Sequence, residues 1–206
     1  MDAPPPRRAL PRTVVTASCG DTIRVRLIPF AEAKEGVELC LNKAFGHQQA
    51  AVTLNEDRDY PHALFMALTG YEEMAKCSRV LDAAHFASRM GAKNIVVEEA
   101  VFSEHESKYK ITMNYLDDWL PELNGVRRTF MPGIRSVDPP KQKATRRKLF
   151  QRGFKIRNAC LYVDHRKRWV GAPKVSKNEV VRNIVMLNSM MSGFHTSLAN
   201  WALAMS

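Results

Sequence analysis

The side chains able to act on a charged substrate are concentrated in the second half of this 206-residue chain. From Arg127 to Arg182 there are 17 Lys or Arg against three acids, Asp138, Asp164 and Glu179. That is a net of +14 in a chain whose total is +10, which leaves the remainder at −4. A positive field gathered in this way attracts polyanions and speeds their encounter. Within it, Thr145-Arg146-Arg147-Lys148 and His165-Arg166-Lys167-Arg168-Trp169 mix cations with one aromatic ring. Such a surface can follow an RNA backbone and stack a base on Trp169, although a tryptophan close to Pro173 equally suits an interior anchor. Arg157 can grip a phosphate through two parallel N–H donors whatever residue follows it. Outside the basic block, Glu72, Glu73 and Lys76 fall within about one helical turn. The plain expectation there is a Glu72–Lys76 surface pair, worth about 0.2–0.5 kcal/mol. His105 and Lys108 are one turn apart and share a helix face, as an anion contact or as an exposed pair.

Other chemistries find no support in the spacing. His62, His85, His105 and Glu106 form no H-x-x-x-H or clustered carboxylate pattern, so no metal is expected. No phosphate-binding G-x-x-x-x-G-K-[ST] and no dinucleotide-binding G-x-G-x-x-G occurs, and no cofactor is expected. Cys19, Cys40, Cys77 and Cys160 are dispersed and read as reduced thiols. No apolar run approaches the length of about 18 residues that a membrane span needs, so no membrane association is expected. The opening Met1-Asp2-Ala3-Pro4-Pro5-Pro6-Arg7-Arg8 is followed by no apolar signal-peptide core, which predicts a cytoplasmic protein.

The elements that must position these residues are mostly helical. Residues 1–28 read as an N-terminal extension. Thr13 to Ile28 carries β-branched runs on either side of Cys19-Gly20-Asp21, which predicts a short hairpin closed by Pro29. Residues 29–206 read as one helical domain. Ala33, Val37, Leu41, Ala44, Gln48 and Ala51 keep a helical period up to Leu54, and a second helix is predicted from about Tyr60 to Ser88. Gly70 inside that helix implies close approach of another segment. Gly91 and Asn94 mark a break, and a helix is expected over 104–120. The breakers Pro121, Gly125, Pro132, Gly133, Pro139 and Pro140 predict a basic loop over about 121–142. A basic helix follows over 143–156. The last helix starts at Ser176-Lys177-Asn178-Glu179, which fits a capping box, and carries Val180, Ile184, Leu187, Met191, Phe194, Leu198 and Trp201 as an apolar stripe.

Three segments resemble the AbiV family in the family's own order, over roughly residues 31–203. Ala63 to Lys76 is similar to its alanine-rich helix ending in E-E-x-x-K, and His105 to Lys108 is similar to its H-x-x-K segment. Arg157-Asn158-Ala159-Cys160-Leu161-Tyr162-Val163-Asp164 is similar to its R-x-x-x-L-Y-V-D stretch. The resemblance implies an all-α, HEPN-like helical bundle and a role in abortive infection, the defence of a microbe against phage. HEPN domains often pair as homodimers that place an arginine and a histidine, with four to six residues between them, in a shared cleft. Many are metal-independent ribonucleases in which the arginine holds the scissile phosphate and the histidine moves protons. Carried over residue by residue, Arg157 and Asn158 match the start of that motif, and the first histidine position holds Tyr162 instead. A phenol with a pKa of about 10 is a poor general base, whereas histidine titrates near neutrality. His165 lies beyond the usual spacing. Were 157–165 helical, it would stand about 80° off the face of Arg157. The resemblance thus implies Arg157, Tyr162, His165 and Glu73 as the catalytic set. Asn158, Lys76, His105, Lys108, Arg166, Lys167 and Arg168 would contact substrate. RNA and a phage protein trigger are the implied partners. The alternative is a catalytically silent HEPN-like dimer that binds RNA, a nucleotide or a phage protein.

Overall fold

A computed structural model describes residues 12–16, 22–114, 139–160, 164–165, 169–170 and 173–205. Strand β1 (Arg12–Thr16) pairs antiparallel with β2 (Thr22–Pro29), with Arg12 opposite Arg26 and Thr16 opposite Thr22. The expected hairpin is therefore present. It is also joined by a strand that the sequence did not announce, β3 (Asn94–Glu98), which pairs antiparallel with β2 and gives the order β1-β2-β3. Ile95 and Val97 turn inward and are buried, while Val96 between them is exposed, the two-residue alternation of a half-buried strand.

The chain then builds a helical hairpin. Helix α1 (Phe30–Glu56) buries Ala33, Val37, Leu41, Ala44, Gln48 and Ala51, steps of three and four that put one stripe on one face. Its end is a tight turn in which Arg58 adopts φ 63° and the Asp59 N–H donates to the Leu54 carbonyl at 2.8 Å. That is the left-handed helix stop usually taken by glycine or asparagine. Helix α2 (Tyr60–Arg89) returns along α1 and is the central element, buried on most of its circumference.

A short helix, α3 (Ala100–Ser103), and helix α4, described over residues 105–114, follow β3, and the rest of the helix expected over 104–120 lies outside the described residues. Thr112 anchors α4, its hydroxyl bonded to the Tyr71 carbonyl of α2 at 3.3 Å. Most of the expected loop over 121–142 lies outside the described residues. Residues 139–142 belong instead to helix α5 (Pro139–Ile156), which tolerates two prolines at its first positions because no partner is needed there for their missing N–H groups. The helix stops at Ile156. A turn at Arg157 and a 3-10 turn over Asn158–Cys160 follow, and the two-residue strands β4 (Asp164–His165) and β5 (Trp169–Val170) pair antiparallel.

Helix α6 (Lys177–Met205) closes the bundle against α2 and α1. The Glu179 N–H donates to the Ser176 hydroxyl at 3.3 Å, so half of the capping box forms. The Glu179 carboxylate turns to Arg152 Nε of α5 at 3.1 Å, tying two helices together. The fully buried Tyr71 donates its hydroxyl to the Asn183 carbonyl of α6 at 2.8 Å, so the core phenol is satisfied rather than stranded. Gly70 lies where α6 comes closest: a Cβ there would stand 2.5 Å from Leu187 Cδ2. Burial pushes the Cys40, Cys77 and Cys160 thiols up to about 11, 12 and 11, which keeps them protonated near neutral pH. Among the described residues no helix is long and apolar enough to cross a membrane.

Candidate functional site

Glu72 and Glu73 are consecutive on α2, so their side chains leave the helix about 100° apart and serve different neighbours. Glu72 points towards α4 and the end of α5. It is 8% exposed, and three cationic or ionisable groups from other elements converge on it. Arg157 Nε stands 3.1 Å from Oε1. His105 Nδ1 lies 2.9 Å from Oε1 and 2.8 Å from Oε2. Lys108 Nζ is 3.9 Å from Oε2, a charge contact rather than a short hydrogen bond. The Arg157 guanidinium also sits 4.8 Å from the ring centroid of Phe65, which precedes Glu72 by two turns on the same face of α2. Arg157 is thus buried, pinned by a carboxylate and roofed by an aromatic ring.

Glu73 faces α1. Its Oε1 accepts from Lys76 Nζ at 2.7 Å, one turn along the same helix. Burial raises the Cys40 thiol, and the charge of Glu73 raises it further. His47 is held below its usual value first by burial and then by Lys43 and Lys76, with Glu73 and Glu72 opposing. Lys108 is likewise lowered first by its own burial. Glu72 and Glu73 pull it back up, and Lys76 and Arg157 push it down. These cross-influences join α1, α2, α4 and the Arg157 turn into one electrostatic unit. Lys43, Lys76, Lys108 and Arg157 outnumber the two carboxylates, so the unit keeps a positive excess even with both histidines neutral. Such a cluster can receive an anion while its own acids hold the cations in place.

The structure brings Arg157, Glu73, Lys76, His105 and Lys108 into this one region. It corrects two expectations about them. The carboxylate beside Arg157 is Glu72, while Glu73 is the partner of Lys76. The plain Glu72–Lys76 surface pair does not form either, because Glu72 is buried and engaged by other elements. His165 does not share a helix with Arg157. The chain leaves α5 at Ile156, and His165 sits in β4 opposite Trp169. Tyr162, Arg166, Lys167 and Arg168 lie outside the described residues, and so does the side chain of Asn158. Sequence reasoning took Glu72 for a surface residue and did not single out Phe65, Lys43 or His47. The signal for Phe65 and Glu72 was their seven-residue spacing, which stacks both on one face of α2. Among the described residues, no three His, Cys, Asp or Glu side chains converge as a metal-ligand group.

A two-helix hairpin closed by a third long helix, with an arginine at the end of α5 turned onto a carboxylate of α2, makes this a mostly helical bundle. The particular family follows from comparison of the sequence. The model of the AbiV family, of HEPN type, matches residues 32–192, and the chain belongs to that abortive-infection family. No curated protein and no solved structure matches it.

Proposed function

We propose that this protein acts on RNA in abortive infection, as a HEPN-type endoribonuclease whose phosphate-gripping group is Arg157. The observation that carries the reading is the buried guanidinium, held by Glu72 and set in a cluster with more cations than acids. A carboxylate that fixes the fork of an arginine pre-orients it for a planar, doubly bonded phosphate contact. Exposed Arg147, Lys148 and Arg152 on α5 lead towards Arg157 and would draw the RNA backbone in. In this reading the protein is cytoplasmic and works as a homodimer with two Arg157 sites near each other. Infection, sensed through a phage protein, releases cleavage of cellular or viral RNA and stops growth or translation.

The test is cleavage of single-stranded RNA by the purified protein in chelator, followed on gels. Arg157→Ala is expected to lower the rate by about 100-fold or more. Arg157→Lys keeps the charge without the fork and separates loss of grip from loss of folding. Equal activity in wild type and both variants would remove Arg157 from the chemistry. Tyr162 at the first histidine position of the motif favours a second reading, a silent dimer that binds RNA without cutting it. In that case the purified wild-type protein would bind single-stranded RNA in chelator and leave it uncut.

A further inference from the structure

We infer that His105, oriented by Glu72, is the proton acceptor for the RNA 2′-hydroxyl at the Arg157 site, an assignment that rests on the ribonuclease reading above. The geometry supplies what the Arg157 motif lacks. An ionised carboxylate only accepts hydrogen bonds, so an imidazole nitrogen 2.9 and 2.8 Å from the two Glu72 oxygens carries the hydrogen, and Nε2 keeps its lone pair for a substrate. Glu72 is a positioning residue: it fixes the tautomer and ring direction and balances the imidazolium once it forms. The guanidinium, as an ion pair at 3.1 Å, and the imidazole, hydrogen-bonded at 2.9 Å, both approach Glu72 Oε1. A phosphate drawn to Arg157 therefore has the imidazole at its flank.

Exposure separates the roles within the cluster. The His105 side chain is 54% exposed, against 10% for Glu72, 11% for Arg157 and 6% for Lys108. The imidazole is the group of the four that projects to the surface where RNA would lie. The charged groups around it are Glu72 from α2, Lys108 and Glu104 along its own segment, and Arg157 across the shared oxygen. Neither of the motif-derived alternatives has an equal claim. A phenol at position 162 is intrinsically a weak base, and His165 belongs to a strand rather than to the helix that leads to Arg157.

The step balances as follows. The 2′-hydroxyl proton passes to His105 Nε2 as the 2′-oxygen bonds to phosphorus. The bond from phosphorus to the 5′-oxygen breaks, and that oxygen takes a proton from water. The products are a 2′,3′-cyclic phosphate and a 5′-hydroxyl. The imidazolium returns its proton to the hydroxide left in solvent.

The experiment compares wild type, His105→Ala and the Tyr162→Phe, His165→Ala double variant, using RNA for cleavage and an all-2′-deoxy strand for binding. In His105→Ala, kcat is expected to fall about 10²–10⁴-fold. The 2′-deoxy strand should bind within about threefold of wild type, and added imidazole should restore part of the rate. A loss that imidazole does not restore, or one carried by weaker binding, gives His105 a different role and overturns the assignment. Full activity in His105→Ala overturns it while leaving the ribonuclease reading intact. A wild-type protein that binds RNA without cutting it removes both.

Discussion

Replacing Glu72 by glutamine isolates the interaction on which the cluster rests. The change preserves shape and one acceptor oxygen but removes the charge that neutralises Arg157 and Lys108. The side chains of Glu72, Arg157 and Lys108 are 10%, 11% and 6% exposed, so solvent screens the unpaired cations poorly. Removing one partner of a buried pair costs about 3–5 kcal/mol. The glutamine keeps a polar oxygen 3.1 Å from Arg157 Nε, which places the expected loss near the lower end, about 3 kcal/mol. Glu73→Gln is the internal control. It breaks a single contact to Lys76, whose side chain is 18% exposed and can turn towards water, so about 1–2 kcal/mol is expected. Urea denaturation followed by far-UV circular dichroism reads both values. For a chain of this size the Glu72 variant should also melt about 6–12 °C lower. Adding Arg157→Met to Glu72→Gln should cost less than Arg157→Met in wild type, with a coupling of about 1–3 kcal/mol. If Glu72→Gln stays within about 0.5 kcal/mol of wild type, or costs less than Glu73→Gln, the buried pair is not what holds Arg157.

Two further outcomes follow from the same packing and electrostatics. Burial holds Lys108 below the ordinary lysine value of 10.5, so the folded protein releases that proton before the unfolded chain does. Stability should therefore rise with pH as Lys108 loses its proton in the interval below 10.5, and Lys108→Met should flatten the rise. Equal slopes of the urea midpoint from about pH 7 to 10 in the two proteins would contradict this. Gly70→Ala places a methyl group 2.5 Å from Leu187 Cδ2. Overpacking of about 1–3 kcal/mol exceeds the helix-propensity gain of about 1 kcal/mol, so melting should show a net loss. Gly46→Ala, which has nothing within 4 Å of the new atom, should instead gain about 0.5–1 kcal/mol.

The long helices were legible because each carries a signal that depends only on neighbours along the chain. The three-and-four spacing from Ala33 to Ala51 gives α1, and Ser176 with Glu179 gives the start of α6. Strand β3 was hidden for a physical reason. Five residues with two inward positions are too short a period to stand out after Gly91, and their pairing with β2 is a contact across some seventy residues of sequence. The choice between Glu72 and Glu73 was hidden for another. Helix α2 is buried on both sides of its axis, so no polar stripe distinguishes the face that meets α4 from the face that meets α1. The end of α5 falls at Ile156, where the basic helix was expected to stop, while its start at Pro139 lies inside the stretch whose prolines and glycines read as a loop. Family likeness singled out Arg157. It took the folded arrangement to identify the acid that holds it.

A carboxylate lodged among cations does two opposed things, and their balance bears on how an RNA site of this kind would work. Without Glu72, Arg157 and Lys108 would sit in the fold as uncompensated buried charges, so the acid stabilises the folded state. Yet the same acid competes with any phosphate for the guanidinium. The guanidinium meets the carboxylate through Nε, at 3.1 Å, so a bound phosphodiester would share the arginine with an acid already in place. The imidazole on that same carboxylate would keep its orientation while a phosphate binds. The arrangement favours modest affinity with fixed geometry over tight capture of any anion. For cleavage, which depends on interactions that strengthen in the transition state, that is the better use of a buried arginine.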